Sequence, residues 1–447
     1  MKILLVTSSA RGHAIAETLS RSRHNPDIIS VCANRNPGIR KLAAEQYTVD
    51  PMDFDSVVDI AKKAKPDFAF IGPDDPIGAG LADILENAGI PTVAPKKSLA
   101  RVESSKGFTR ELLQKKGIDC SPKFSLFNRA EPKLLYTYIT QELEGEYVVK
   151  YDELKGGKGV KISGEHLASI EEGVAYALEC IAECGQVVIE EKLRGVEFSL
   201  LSFVSGTQVV DMPAVQDHKR AYEGDIGPNT GGMGTYSDVN HSLPFLEPSD
   251  LERAKEINRL SAKALLEECG EPFRGILYGG FIAVKNGIRL IEYNARFGDP
   301  EALNILPLLS SDFVDICQAM ISGELQENLV SFEHKATVCK YITPESYPIG
   351  KAQKGKQVVF PPIPNNARVY YGDVSESDEG TLLLGGSRAA GIVGIGDSLA
   401  DAESVAQQLC EQVTGPVRFR SDIGTAEVIS QRVTTLKQLR ASSHSPE

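Results

Sequence analysis

The segment Ile288–Glu301 carries the side chains that point most clearly to chemistry. With the two-residue repeat of a strand, Glu292 and Asn294 project from the same face. Carboxylate and amide oxygens are ligands that magnesium prefers, including magnesium that already bridges nucleotide phosphates. Arg296 follows at a place where its guanidinium could stabilise charge on a phosphoryl group in transfer. An ordinary salt-bridged strand end would not need this combination, so the segment predicts a metal and phosphate site.

A second candidate is the lysine- and glycine-rich segment Tyr147–Lys161, where Lys150 ends a predicted strand and Lys158 lies in the loop beyond it. Ammonium groups and flexible backbone amides together suit a polyphosphate, because they can close over it after it binds. The residue order is not that of a Walker loop. An ordinary glycine hairpin therefore stays an equal alternative for this segment taken alone.

The third candidate is a polar loop in which Gln216–Arg220 leads into Asp225–Gly234. Fixing each residue of such a glycine-rich loop costs about 1–2 kcal/mol of backbone entropy, so structure alone is a poor reason for it. A loop that grips a substrate is the better interpretation. His218 lies among charged residues, where a histidine is more often a hydrogen-bonding or surface residue, and we do not predict it as a general base.

Two further segments carry weaker signals. After the predicted strand Val187–Glu190, Glu197 could accept hydrogen bonds from ribose hydroxyls, although acidic residues near strand ends are usually only solvated. At the amino terminus the strand Lys2–Val6 runs into a turn that lacks GxGxxG, which disfavours a nicotinamide dehydrogenase. Arg11 and the start of the next helix could hold one phosphate, and an ordinary strand-to-helix turn is equally open.

The elements that must position these residues divide the chain into about three domains, given its 447 residues. Strand and helix patterns alternate over the first hundred residues, with helices predicted from about His13 and about Asp53, which favours a parallel sheet covered by helices. A capped amphipathic helix is predicted from Ser104 to Gly117, with a domain boundary just before it. Strands dominate from Tyr147 to Asn294, and Pro361–Asn366 predicts loops.

Composition excludes several classes of protein. Apolar residues make up 42% and charged residues 24%, a typical soluble globular mixture. With 61 acidic and 48 basic residues the net charge is −13, which disfavours general nucleic-acid binding. No apolar run approaches the roughly 20 residues that cross a bilayer, so we expect a cytoplasmic protein without membrane contact. The eight cysteines form no CxxC pair and are expected to be free thiols.

Together these segments resemble the phosphoribosylamine–glycine ligase family of the ATP-grasp superfamily. Gln216–Met233 and Asn294–Glu301 carry the resemblance most specifically, with further similarity at Gly72–Pro76, Glu103–Lys106 and Arg420–Gly424. It implies an α/β and α+β multidomain fold with a Rossmann-like parallel-sheet domain (1–103), a two-lobed ATP-grasp domain (104–328, lid lobe about 123–193) and a small α+β domain (329–435) before a tail (436–447). It also implies a monomer or homodimer.

The resemblance implies roles for individual residues by matching positions. Contacts to ATP are expected at Lys106, Lys150, Lys158, Glu190, Lys192, Leu193 and Glu197. Contacts to glycine and 5-phosphoribosylamine are expected at Arg11, Gly72, Pro73, Asp74, Asp217, Lys219, Asn229, Thr230, Gly231, Gly232 and Arg296. Arg296, Asp217 and Lys158 are the expected catalytic residues, and Glu292 and Asn294 the expected ligands of Mg²⁺ or Mn²⁺.

The chemistry implied is attack of the glycine carboxylate on ATP to give an acyl phosphate, from which the amine displaces phosphate. No protein nucleophile is needed, which agrees with the absence of a convincing serine or cysteine triad. The first turn departs from the family, with Ser8, Ser9, Ala10 and Gly12 where more glycine is usual. A homologous ligase with another amine or amino acid is therefore an alternative, and a non-catalytic nucleotide sensor is a third. The glycine-rich stretch Gly385–Gly396 is interpreted as turns beside strands, without a ligand.

Overall fold

The amino-terminal part is a parallel sheet covered by helices, as its alternating pattern predicts. The computed structural model describes residues 1–156 and 159–442. The five strands are β1 (Lys2–Thr7), β2 (Asp27–Cys32), β3 (Glu45–Thr48), β4 (Phe68–Ile71) and β5 (Thr92–Val93). The helices are α1 (Ser9–Ser20), α2 (Pro37–Leu42), α3 (Phe54–Ala64), α4 (Asp74–Ala79), α5 (Leu81–Asn87) and α6 (Lys97–Ser104). Because the strand order is β3-β2-β1-β4-β5, the ends of β1 and β4 lie together at the point where connections reverse, the usual ligand edge of such sheets.

Helix α1 begins earlier than the sequence predicts, at Ser9 rather than about His13. Ser8 is extended and makes no side-chain cap. The first turn is satisfied instead by Asp299, whose carboxylate accepts from the Ser9 hydroxyl at 2.5 Å and the Arg11 amide at 3.2 Å. The helix start therefore depends on a distant residue that no local pattern reveals.

Helix α7 (Lys106–Lys115) confirms the predicted capped helix, since the Ser105 hydroxyl accepts from the Phe108 amide at 3.0 Å. A four-stranded antiparallel sheet follows in the order β6-β9-β7-β8. Its elements are β6 (Phe124–Phe127), α8 (Pro132–Thr137, continued by a π turn at Tyr138–Glu142), β7 (Tyr147–Tyr151), β8 (Val160–Ile162), α9 (Ile170–Cys184) and β9 (Val187–Glu191). This lobe has a hydrophobic core of its own, around Tyr147, Val149 and Ile189.

The second lobe is built on the antiparallel sheet β11-β10-β16-β17. Its strands are β10 (Val196–Ser205), β11 (Gln208–Asp211), β16 (Arg274–Val284) and β17 (Gly287–Asn294), and α10 (Pro248–Cys269) packs against them. Between β11 and α10 the chain forms four short strands, β12 (Gln216–Asp217), β13 (Arg220–Tyr222), β14 (Ile226–Asn229) and β15 (Gly234–Ser237). After β17 come α11 (Glu301–Ile305), a 3₁₀ turn (Leu306–Leu308), α12 (Phe313–Ser322) and a 3₁₀ turn (Glu327–Leu329).

The carboxy-terminal part shares its sheet with the second lobe, in the order β12-β15-β18-β22-β19. Its elements are β18 (Ala336–Pro344), β19 (Ala367–Tyr371), β20 (Val374–Glu376), β21 (Leu382–Leu384), β22 (Ala390–Gly396), α13 (Leu399–Glu411), β23 (Val417–Arg418) and α14 (Ala426–Ala441). Strands β12 and β15 thus belong to the ATP-grasp range in sequence and to this sheet in space, while β13 and β14 between them form a separate two-stranded sheet. The predicted loops at Pro361–Asn366 are confirmed.

The expected tail at 436–447 differs from the structure. Helix α14 continues to Ala441, because Leu436 is buried in the main core and Arg440 pairs with Asp250 of α10 at 2.8 Å. Residues 443–447 lie outside the described part of the chain. Of the described helices, none is both long and apolar enough to cross a membrane.

A buried histidine joins the first and last parts of the chain. His13 on α1 stacks on Tyr371 of β19, with ring centroids 5.7 Å apart, and its Nδ1 accepts the Tyr371 amide hydrogen at 2.9 Å. Only an unprotonated nitrogen can accept that bond. Burial, reinforced by Lys41, lowers the pKa of His13 to about 3.

We therefore expect stability to fall as pH drops below the ordinary histidine value of 6.5. Between that value and the folded pKa, the unfolded chain binds a proton that the folded chain excludes, so His13 removes about 1.4 kcal/mol of stability per pH unit. Above that range its contribution is constant. Urea unfolding of the wild type and His13→Gln at several pH values measures this, since a glutamine oxygen can keep the hydrogen bond without titrating. An equal loss of stability in both proteins would contradict the assignment.

Candidate active site

One cavity of about 720 Å³ lies where the lid lobe, the second lobe and the amino- and carboxy-terminal parts meet. It brings together most of the residues predicted from the sequence. Those that line it are Arg11, Asp74, Lys106, Lys150, Glu190, Lys192, Leu193, Glu197, Asp217, Lys219, Asn229, Thr230, Gly231, Glu292, Asn294 and Arg296. Gly72, Pro73 and Gly232 are not among the lining residues in the part of the chain that the structure describes. Lys158 lies outside the described residues.

The lid side of the cavity is organised around a buried ionic cluster. Lys150 on β7 lies 2.7 Å from the Glu190 carboxylate on β9 and donates to the Ile291 carbonyl of β17 at 3.0 Å. Arg110 of α7 donates to the other Glu190 oxygen at 2.5 Å. Burial would raise the pKa of Glu190, but Arg110 and Lys150 outweigh it and lower the pKa to about 2. The carboxylate is therefore ionised, and it holds the Lys150 ammonium at the cavity wall.

The other residues expected around adenosine are Lys192, Leu193 and Glu197, which come just after Glu190 in the chain. Lys192 and Leu193 line the cavity just after β9, and the Lys192 ammonium donates to the Ser163 carbonyl at 2.8 Å. Glu197 at the start of β10 lies 3.2 Å from the Lys219 ammonium. Glu190 differs from the other three because both of its oxygens are engaged by Arg110 and Lys150, so its contact to adenosine stays a prediction.

The predicted metal ligands lie at the end of β17, as the strand period predicts. Glu292 is paired across the sheet with Gly280, where a Cβ would lie 3.6 Å from the Glu292 Cγ. Burial would raise the pKa of Glu292, but Lys219, Lys106 and Lys150 lower it overall. An ionised carboxylate beside an amide oxygen, with phosphate-binding lysines nearby, is a suitable donor set for Mg²⁺ on a nucleotide.

Arg296 is held in the floor of the cavity by Glu103. The two side chains lie 2.9 Å apart, and the same carboxylate accepts the Ala295 amide hydrogen at 2.8 Å. Arg11 lies beside them and donates to the Phe297 carbonyl at 2.6 Å. The Nε atoms of Arg11 and Arg296 are buried and have no hydrogen-bond partner among the described residues. Both guanidiniums therefore keep donor capacity beside the cavity.

The expected phosphate position at the start of α1 holds a carboxylate in this structure. Asp299 occupies the helix amino terminus, and the Tyr341 hydroxyl of β18 also donates to it. Arg388 lies 3.4 Å from it. Burial would raise the pKa of Asp299, but Arg388 and Arg11 lower it overall, so the group is ionised. Asp299 is not among the residues predicted from the sequence, because its partners come from three distant segments of the chain.

Two carboxyl groups, those of Asp217 and Glu301, line the cavity near each other. Burial and the nearby Glu301 raise the pKa of Asp217 well above its usual range. Glu301 accepts from the Tyr278 hydroxyl at 2.9 Å. Two close carboxyl groups repel each other when both are ionised, so the pair is suited to an ammonium ion that would neutralise it.

The polar loop is folded tightly beside Asp217. Thr230 donates through its amide and hydroxyl to the Lys219 carbonyl, at 2.8 and 2.9 Å. Gly232 has φ +107°, and a Cβ there would lie 2.7 Å from the Asp217 carboxylate, so glycine is required. His218 is buried, and its Nδ1 lies 3.3 Å from the Gly234 carbonyl, consistent with a hydrogen-bonding role.

Arg388 shows that the turn interpretation of Gly385–Gly396 was incomplete. Gly385 and Gly386 do lie at a bend before strand β22, but Gly391–Gly396 belong to the strand itself, and Arg388 reaches the cavity and lines it. A lone arginine after glycines carries no spacing signal, which is why the sequence analysis missed it. Glu103 and Glu301 lie in segments that carry the resemblance, but neither was predicted as a site residue, because the partners of each are far along the chain.

Two antiparallel sheets that face each other across a cleft with paired lysines and a carboxylate–amide pair define the ATP-grasp class. Three family models match the chain: the phosphoribosylglycinamide synthetase N domain at residues 1–103, its ATP-grasp (A) domain at 104–302 and its C domain at 337–426. The chain belongs to the phosphoribosylglycinamide synthetase family.

Relatives and solved structures agree with this assignment. The chain is 46% identical over 440 residues to the phosphoribosylamine–glycine ligase of Methanosarcina barkeri, covering 98% of this chain and 100% of the relative. It is 44% identical over 451 residues to that of Methanococcus vannielii, again covering 98% and 100%. The crystal structure of the Thermotoga maritima phosphoribosylamine–glycine ligase matches with TM-score 0.79 and 27% identity, over 94% of this chain and 100% of that one. A Campylobacter jejuni biotin carboxylase (TM-score 0.69, 13% identity, covering 99% and 96%) shares the fold alone.

Proposed function

We propose that this protein joins glycine to 5-phosphoribosylamine with ATP, giving 5-phosphoribosylglycinamide, ADP and phosphate. The observation that supports this most is one cavity that holds both halves of such a reaction. Lys106, Lys150, Glu292 and Asn294 suit a metal–nucleotide, while Arg296 with the Asp217–Glu301 pair suits an amino acid. Family membership points to the same reaction.

The nucleotide half uses fixed charges. Lys106 and Lys150 neutralise phosphate oxygens, and Glu190 holds Lys150 in place. Glu292 and Asn294 would ligate Mg²⁺ or Mn²⁺, which supplies charge neutralisation on the phosphates in transfer. Lys192, Leu193 and Glu197 flank adenosine, and the predicted phosphate contact of Lys158 falls outside the described residues.

The amino-acid half binds both charges of glycine. Arg296 pairs with the carboxylate and directs one of its oxygens at the γ-phosphorus, where an O–P bond forms and the bond to ADP breaks. The ammonium lies against Asp217 and Glu301. Enclosure by the Asn229–Gly232 loop protects the acyl phosphate from water.

The second step consumes the acyl phosphate. The amine nitrogen of 5-phosphoribosylamine attacks the acyl carbon, the C–O bond to phosphate breaks, and the departing phosphate can accept the proton that the nitrogen loses. No protein nucleophile takes part. We place the amine beside Arg11 and Asp74, at the carboxyl ends of β1 and β4.

Two further features concern the cell compartment and the oligomeric state of the protein. All eight cysteines are free thiols, which suits the cytoplasm. We propose a monomer or homodimer, and sedimentation velocity at several protein concentrations distinguishes the two.

Mass spectrometry of reactions containing ATP, Mg²⁺, glycine and freshly generated 5-phosphoribosylamine tests the function, with each component omitted in turn. We expect ADP and 5-phosphoribosylglycinamide only in the complete mixture. ADP without the ribonucleotide product would favour the alternative ligase with another amine, and no turnover would contradict the proposal.

Arg11→Ala is expected to weaken use of the phosphorylated amine. Hydrogen bonds to a charged group are worth about 1.5–3 kcal/mol, so the KM for the amine should rise about 10- to 100-fold, with the KM for ATP unchanged. Steady-state kinetics in each substrate measures this. Arg23→Ala, whose side chain is 74% exposed, is the control. An unchanged KM for the amine would remove Arg11 from the phosphate site.

A further inference from the structure

We propose that Arg388 is a positioning residue that holds the loop Asn229–Gly232 in place. The carboxy-terminal part of the chain thereby helps to build the half of the site that binds glycine and the amine. The inference rests on the proposed function and adds a residue and a domain to it. It predicts that Arg388 governs binding of glycine and the amine but not of ATP.

The contacts of Arg388 join three segments of the chain. Its Nη1 donates to the carbonyls of Gly231 at 2.6 Å, Gly232 at 2.9 Å and Asp299 at 2.9 Å. Its guanidinium carbon lies 4.4 Å from the centre of the Tyr341 ring, and its side chain is 14% exposed. The guanidinium reaches these carbonyls through Nη1 and lies 3.4 Å from the Asp299 carboxylate through Nη2. A lysine ammonium has one nitrogen and does not fill both positions.

The base of Arg388 is rigid. The carboxylate of Asp373 accepts the amide hydrogens of Gly386 and Ser387, each at 2.8 Å, and the Asp373 amide donates to the Arg388 carbonyl at 2.8 Å. The next amide, Ala389, donates to Ile342 of β18 at 2.8 Å. The guanidinium is therefore presented from a fixed turn, as a positioning group must be.

The loop is shaped to receive this guanidinium. A Cβ at Gly231 would lie 3.0 Å from it, and a Cβ at Gly232 would meet Asp217 on the other side. The loop is thus held between Asp217 and Arg388. Asn229, Thr230 and Gly231 in turn line the cavity.

Arg388 also bears on the charge of the site. Lys219 and the positive charge of Arg388 favour the ionised form of Asp217, against burial and the nearby Glu301. Loss of the charge should therefore shift the acidic limb of the pH profile for glycine to higher pH, whereas a purely structural residue would not move it.

Arg388→Lys and Arg388→Met test the proposal, with Arg368→Met as the control. Arg368 likewise joins the carboxy-terminal part to another part of the chain, since it lies 3.6 Å from Glu17 of α1, but it does not line the cavity. We expect the KM values for glycine and the amine to rise about 10- to 100-fold in both Arg388 variants, because small displacements of substrate-positioning groups have effects of this size. The KM for ATP should stay within about twofold.

A second variant and a second measurement keep the test decisive if Arg388→Met does not fold. In Gly231→Ala, the new Cβ displaces the Arg388 guanidinium without changing the turn that carries Arg388. This variant should also raise the KM values for glycine and the amine but not the KM for ATP. Hydrogen exchange of the peptide containing Asn229–Gly232 should be faster in Arg388→Lys than in the wild type and the control, whatever the substrate. Unchanged exchange, or equal rises in all three KM values, would overturn the proposal. Failure of the wild type to make product would instead contradict the proposed function.

Discussion

Glu292→Ala is expected to lower kcat about a thousand-fold or more, the largest effect among the single substitutions considered. A metal ion supplies several kcal/mol of charge stabilisation in phosphoryl transfer, and each 1.36 kcal/mol changes the rate about tenfold. The carboxylate also has Lys219, Lys106 and Lys150 around it, so its removal leaves these cations to repel one another. ADP release at rising Mg²⁺ concentration measures the loss.

The metal assignment has a readout that does not need turnover. Mn²⁺ binding in the presence of ADP, followed by electron paramagnetic resonance, should weaken in Glu292→Ala and persist in Glu268→Gln. Glu268 is the matched control because it is a carboxylate that pairs with a lysine, Lys115, on the surface. Normal activity of Glu292→Ala in magnesium buffer would refute the role of Glu292 as a ligand.

Local patterns predicted the elements that carry the site, because strand and helix periods depend on near neighbours. The strand period placed Glu292 and Asn294 on one face of β17, and the cap signal at Ser105 placed Lys106 at the start of α7. Both features can be read within a few residues of sequence.

What the sequence could not predict depends on partners far along the chain. Asp299 satisfies the start of α1 from 290 residues beyond Ser9. Arg388 reaches the loop at Gly231 across 157 residues. Leu436 was placed in a tail although it is buried, because its partners belong to other elements. These contacts follow from packing of separate parts, which leaves no periodic signal.

The resemblance and the structure indicate different roles for Glu190. The resemblance implies contact with adenosine, whereas the structure engages its carboxylate with Arg110 and Lys150. The side chains of all three are nearly fully buried, at 2–5% exposure. Glu190 therefore fixes the position and charge of Lys150, and its contact to adenosine stays a prediction.

Glu190→Gln is accordingly expected to destabilise the protein as well as weaken ATP binding. Removing one member of a buried ion pair costs about 3–5 kcal/mol, because the remaining charges lose their partner in a medium of low polarity. Here two cations would be left. The free energy of unfolding in urea should fall by about that amount, and the KM for ATP should rise as Lys150 moves.

A double-mutant cycle separates this role from a direct one. Arg110→Met combined with Glu190→Gln should cost less than the sum of the single changes, since the second substitution removes a charge that the first left unpaired. Glu183→Gln is the control, because Glu183 pairs with Lys155 on the lid surface, where the exposed pair is worth less than about 1 kcal/mol. If Glu190 acted only on adenosine, Glu190→Gln would raise the KM for ATP with no loss of stability. If the losses of stability in the two single variants simply added in the double variant, the cluster would also be contradicted. Effects on stability add when two residues share no contacts.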